Sequence, residues 1–250
     1  MSKSRKPLSL LLIICTILAF VTAGEGYAQH NPRGSGYYLI DNFEDQEPGE
    51  LPGGWYDRDG KHKLTEMSPE SQSNYRYRVK RGPRGNRYLH YEGTMARHIN
   101  YPLLNKKRVN LHETPILSWR WRVHDLPEGA NEKQSGHNDA AASVYVVFDV
   151  ANYVLKKLPV SIRYTWSTSL EVGTTGSKLF NKQKIQVVES GRGKLGEWIT
   201  VERNLLEDYK RLHGGKPPKK PIALLIMSDG DSVNDTTSAD YDDIMLRSGK

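Results

Sequence analysis

The sequence predicts an all-β chain, an antiparallel β-sandwich with one short packing helix. Three observations lead there. About ten short runs alternate apolar and polar residues with a period of two, and Gly, Pro, Asn or Asp turns separate them. One segment outside the N-terminus, residues 204–213, has helical spacing together with start and stop signals. Strands alternating regularly with helices, as in a parallel α/β sheet, are missing. At 250 residues the chain is long enough for one sizeable core.

The N-terminus reads as a leader. Lys3, Arg5 and Lys6 precede an apolar run over residues 8–21, and small residues allow cleavage after Ala23 or Ala28. The run is short for a bilayer span, so the expectation is a signal peptide over residues 1–28 and no stable membrane span after cleavage. Residues 29–36 form a polar, flexible lead-in, and residues 37–250 a single β-sandwich domain. Cys15, the only cysteine, lies in the leader. The mature chain is then cysteine-free, which excludes disulfides, thiolate nucleophiles and cysteine metal sites. Such a chain suits a bacterial periplasmic or secreted setting.

Residues 37–43 (YYLIDNF) give the first strand, followed by the turn region EPGELPGGW ending at Trp55. Residues 57–74 are polar and irregular. Residues 75–79 and 87–91 form a hairpin across residues 81–86. Residues 96–104 are extended. Residues 116–150 hold the densest apolar rows and read as a central hairpin. In its first strand Trp119 and Trp121 fall on one face and Arg120 and Arg122 on the other. Its second strand, through Val144, Val146 and Phe148, is apolar on both faces. The joining loop carries Glu128, Glu132, His137, Asn138 and Asp139. Further strands fall at residues 160–167, 184–188, 197–203, 222–227 and 241–246. The helix at 204–213 has Asn204 as N-cap and Gly214 as C-cap, with Leu205, Leu206, Tyr209 and Leu212 on one face.

The formal charge is +7, and losing the leader lowers it to about +4 to +5. The basic tracts are scattered and no nucleic-acid-binding motif is present, so nucleic acid is not an expected partner. Gly191, Gly193 and Gly196 spell G-x-G-x-x-G, but a strand pattern follows where a dinucleotide site needs a helix, so this is a hairpin turn. No H-E-x-x-H and no G-x-S-x-G occurs. Arg120 and Arg122, joined by Arg163 on a neighbouring strand, make an anion or sugar platform, or else pair with carboxylates across the sheet. His137, Asn138 and Asp139 form a hydrogen-bonding cluster in the central loop. Asp229, Asp231, Asn234, Asp235, Asp240, Asp242 and Asp243 crowd towards the C-terminus. An oxygen-only set of this kind suits calcium, or a turn capped by its own side chains.

The stretches LSWRWRV, LPEGANE, NDAAASVYVVF, YTWSTSLEVG, GEWITVERNLLEDY, IMSDGDS and ADYDDI resemble a bacterial exported family called domain of unknown function 3047. The family supplies no activity. More loosely, the strand ending at Asn42-Phe43-Glu44, the turn to Trp55 and the closing Tyr241-Asp242-Asp243-Ile244 are similar to galactose-binding-like jelly rolls, which include carbohydrate-binding modules. That resemblance implies a jelly-roll sandwich whose first and last strands lie together, with a structural calcium at Glu44 or Asp45 and Asp242 or Asp243. The expected function is a non-catalytic protein of the cell envelope binding a carbohydrate-like or other small ligand through Arg120, Arg122, His137, Asn138 and Asp139. One alternative is a glycan hydrolase or lyase using acidic residues and His137. Another is a structural envelope component.

Overall fold

The computed structural model describes residues 36–58, 63–67, 76–95, 98–153 and 156–249; the expected leader lies outside them. In chain order the elements are β1 (Tyr37–Asp41), β2 (Tyr56–Arg58), β3 (Leu64–Glu66), β4 (Tyr77–Arg81), β5 (Arg87–Gly93), β6 (Ile99–Pro102) and β7 (Ile116–Asp125). There follow β8 (Ala140–Tyr153), β9 (Lys156–Ser167), β10 (Thr175–Lys178), β11 (Gln183–Ser190), β12 (Ile199–Asn204), α1 (Leu205–His213), β13 (Ala223–Asp229) and β14 (Thr237–Arg247).

The strands form a two-sheet, jelly-roll sandwich. One sheet has six strands in the order β12-β7-β14-β5-β4, with β1 also on β14. The other has eight, in the order β10-β11-β9-β8-β13-β6-β2-β3. First and last strands lie together, Tyr37 opposite Arg247 and Leu39 opposite Met245. Pairing is antiparallel throughout except between β9 and β11. That parallel pair arises because β10 hairpins onto β11 and so returns the chain in the direction of β9.

The central hairpin expected over residues 116–150 is not one. β7 belongs to the six-stranded sheet and β8 to the eight-stranded one. Each strand has an apolar face, and these faces meet across the core instead of lying edge to edge. Trp119 and Trp121 on β7 meet Tyr164 and Trp166 on β9, with ring centroids 5.6 and 6.1 Å apart. All four rings are buried, and truncating one such core aromatic to alanine typically costs about 3–5 kcal/mol. The loop between β7 and β8 therefore crosses from one sheet to the other.

The helix forms as its sequence dictates. The Asn204 side chain accepts from the backbone N–H of Leu206 and Glu207, at 3.1 and 3.3 Å. Gly214 closes it at φ 75°, a conformation that favours glycine. Asp208 anchors it, accepting from Tyr164 Oη at 3.0 Å and from Arg203 at 2.7 and 2.8 Å.

Candidate functional site

The outer face of the six-stranded sheet gathers the chemistry. Because Trp119 and Trp121 point inwards, Arg120 and Arg122 must point out. Strand pairing sets Arg120 opposite Asp242 and Arg122 opposite Asp240. Arg120 Nη2 donates to Asp242 Oδ2 at 2.6 Å, and its Nε lies 2.8 Å from Asp243 Oδ2. Two consecutive aspartates reach one arginine because the register slips between Asp242 and Met245, with Asp243 at φ 48°. A bulge of this kind turns neighbouring side chains to the same side.

Arg122 donates to Asp240 Oδ2 from Nε at 2.8 Å and from Nη2 at 2.6 Å. The same carboxylate meets His124 Nε2 at 2.7 Å and His90 Nδ1 at 2.7 Å. Burial pushes the Asp240 carboxyl up, but bonds from His124, His90 and Arg122 outweigh it and hold the group well below the usual carboxylate range. Two half-buried rings cover the arginines. The Arg122 guanidinium lies 4.7 Å from the Trp198 ring and 5.5 Å from that of Tyr88, and Arg120 lies 5.0 Å from Trp198. Tyr88 meets Trp198 edge-on at 5.6 Å.

Beside this cluster runs an open groove of about 570 Å³, lined by Arg76, Arg78, Lys80, His90, Glu92 and Met95 among others. Its size is within the range of small-ligand sites. The three cations recur at every second residue, so β4 and the residue before it present them on the side away from buried Tyr77 and Val79.

The predicted site residues divide between the two sheets. Arg120 and Arg122 are together on the six-stranded one, paired with carboxylates. Arg163, expected beside them, lies on β9 of the other sheet and is 2% exposed. There it donates to Ser143 Oγ at 3.0 Å and to the Asn138 carbonyl at 3.1 Å. Asp139 is also buried, its Oδ2 accepting from Val233 N–H at 2.8 Å. His137 is exposed, and its carbonyl accepts from Asn131 N–H at 2.6 Å. The three loop residues thus do not join the arginine face, and His137 and Asp139 do not form an acid–base pair.

The calcium set is not assembled either. Asp242 and Asp243 are committed to Arg120, while Glu44 Oε1 accepts from Arg87 N–H at 3.1 Å. Among the described residues no three of Glu44, Asp45, Asp242 and Asp243 present ligand atoms within 4.8 Å of one another. Two other groups do so: His90, His124 and Asp240, and Asp139, Asp229 and Asp231. In the first, Arg122 already occupies the carboxylate. Sequence reasoning missed Tyr88, His90, His124 and Trp198. The first two alternate with buried Leu89 and Tyr91, a signal that places them outside.

Solved structures with a similar course include the family 30 carbohydrate-binding module of a cellulosomal cellulase from Clostridium thermocellum (12% identity, 86% of this chain and 98% of that one, TM-score 0.41). Two others are the adhesin domain of Lys-gingipain from Porphyromonas gingivalis (11%, 86% and 99%, TM-score 0.39) and a family 29 module from Piromyces equi (9%, 85% and 90%, TM-score 0.34). No curated protein matches the sequence. Residues 62–245 match the model of the protein family of unknown function DUF3047, and the chain belongs to that family.

Proposed function

We propose that this is an exported, non-catalytic binding protein of the cell envelope, whose ligand is an acidic carbohydrate lying on the outer face of the six-stranded sheet. The supporting observation is the cover of Trp198 and Tyr88 over Arg120 and Arg122, next to a groove edged by Arg76, Arg78 and Lys80. Half-buried aromatic rings offer flat apolar surface to the faces of sugar rings, with a polar handle at the edge. The groove cations match carboxylates or sulfates on a sugar. Arg120 and Arg122, already paired, hold the aromatic cover in place rather than gripping the ligand.

Calorimetric titration of the purified protein with uronic-acid-containing and neutral polysaccharides tests the reading. Binding to the acidic polymer is expected, weakened by salt because exposed charges are screened. Trp198→Ala is expected to weaken it about tenfold, ~1.4 kcal/mol. No binding to either polymer, or the same affinity in Trp198→Ala and in the double variant Arg76→Ala/Lys80→Ala, would reject it.

A further inference from the structure

The outer face of the eight-stranded sheet carries a different cluster, under the loop that joins β7 to β8. Asp139 ends that loop, Asp229 ends β13, and Asp231 begins the turn after it. Each presents a carboxylate oxygen, and the three oxygens lie within 4.8 Å of one another. Asp139 is fully buried and its Oδ1 has no hydrogen-bond partner among the described residues. A buried carboxylate oxygen with nothing to accept from costs the full desolvation of that group unless a cation meets it. Its other oxygen, and Asp229 Oδ1, accept from the backbone N–H of Val233 and Ala140, at 2.8 and 2.9 Å. Those bonds fix both carboxylates in place.

The neighbouring cations do not meet these carboxylates directly. Among the described residues, Arg163 and Lys178 face Glu132, Asp139 and Asp229. Glu132 spends its oxygens on Thr165 and Ser167 hydroxyls, which are neutral. Among the described residues Arg163 makes no hydrogen bond to a carboxylate, and its Nη2 has no partner.

The backbone is shaped to bring the three together. Gly230 separates Asp229 from Asp231, and a Cβ there would lie 2.1 Å from the Asp235 carbonyl oxygen. Only glycine allows the turn to close, with Asp235 N–H donating to the Gly230 carbonyl at 2.9 Å.

We infer that Asp139, Asp229 and Asp231 bind a divalent hard cation, Ca²⁺ by its oxygen-only donors, which ties the β7–β8 loop to the β13–β14 turn. This ion is independent of the carbohydrate reading and lies on the opposite sheet. The donors are hard oxygens from flexible turns, which suits Ca²⁺ better than the rigid octahedron of Mg²⁺.

The test uses the purified protein stripped with EDTA, titrated with CaCl₂ and with MgCl₂ by calorimetry and followed by thermal melting. One Ca²⁺ per chain and a raised melting midpoint are expected. Asp231→Asn, a change at an exposed position that leaves the fold intact by circular dichroism, weakens Ca²⁺ binding by about tenfold or more, the loss typical even of groups that only support a ligand. Asp139→Asn abolishes it. Absence of Ca²⁺ binding by the wild-type protein overturns the inference. Equal Ca²⁺ affinity in the wild type and both variants also overturns it, placing the ion elsewhere.

Discussion

Arg122 and Arg163 are both strand arginines on outward faces, one on each sheet, yet their charges are met in different ways. Arg122 has a carboxylate directly across the strand pair, and both its bonds go to that group. Arg163 has Tyr145 and Ile185 as its strand neighbours, so its anions come from the β7–β8 loop, as Glu132 and Asp139, and from Asp229 at the end of β13. These carboxylates lie near it without a direct hydrogen bond among the described residues. Register supplies a charge partner wherever the opposite strand carries one. Where it does not, a buried charge depends on loop closure, and the loop site keeps unsatisfied atoms that a ligand can use.

The comparison is broken most severely at Arg163. Arg163→Met is expected to destabilise the protein by about 3–5 kcal/mol, because it leaves buried carboxylates facing one another. Denaturant unfolding measures this, and a loss under 1 kcal/mol would mean the cluster is already balanced. Asp240→Asn weakens the bonds to Arg122, His90 and His124 together, and a loss of roughly 2–3 kcal/mol is expected. The Asp240 carboxyl is held below its ordinary value when folded. Its contribution is therefore present above the unfolded value of 3.8 and is lost as pH falls below it. Stability profiles from pH 5 downwards should accordingly fall less steeply in Asp240→Asn than in the wild type. Trp198→Ala removes only a partly exposed stacking partner, and about 1 kcal/mol is expected, with ligand affinity suffering more than stability. At the small end, His137→Ala should stay within about 0.5 kcal/mol, since the ring is exposed and makes no hydrogen bond among the described residues. A larger change would put His137 in the loop's packing.

Much of the fold was legible. Alternation put Trp119 and Trp121 inside and Arg120 and Arg122 outside, and Asn204 and Gly214 marked the helix ends. The functional face was half legible. Arg120 and Arg122 could be named, but their partners could not. Asp240 lies 118 residues from Arg122 and 150 from His90, and nothing local distinguishes it from the six other Asp and Asn residues of its stretch. The loop trio does not stay together beside the arginines: Asp139 is buried and the Asn138 carbonyl meets Arg163 of the eight-stranded sheet, while His137 stays exposed.

By itself the sequence determined most of the strands and which side of each is buried, where the helix starts and stops, and that the expected mature chain has no cysteine; β3, inside the stretch read as irregular, and β10 escaped it. These follow from period, capping and composition, all of them properties of neighbouring residues. Only the tertiary structure decided that β7 and β8 part into different sheets, that Asp242 and Asp243 serve Arg120, and that Asp139 joins Asp229 and Asp231. A strand's pattern shows that one face must be buried but not which strand will lie beside it. Pairing and register come from packing between residues far apart in the chain, and so does every charge partner they set.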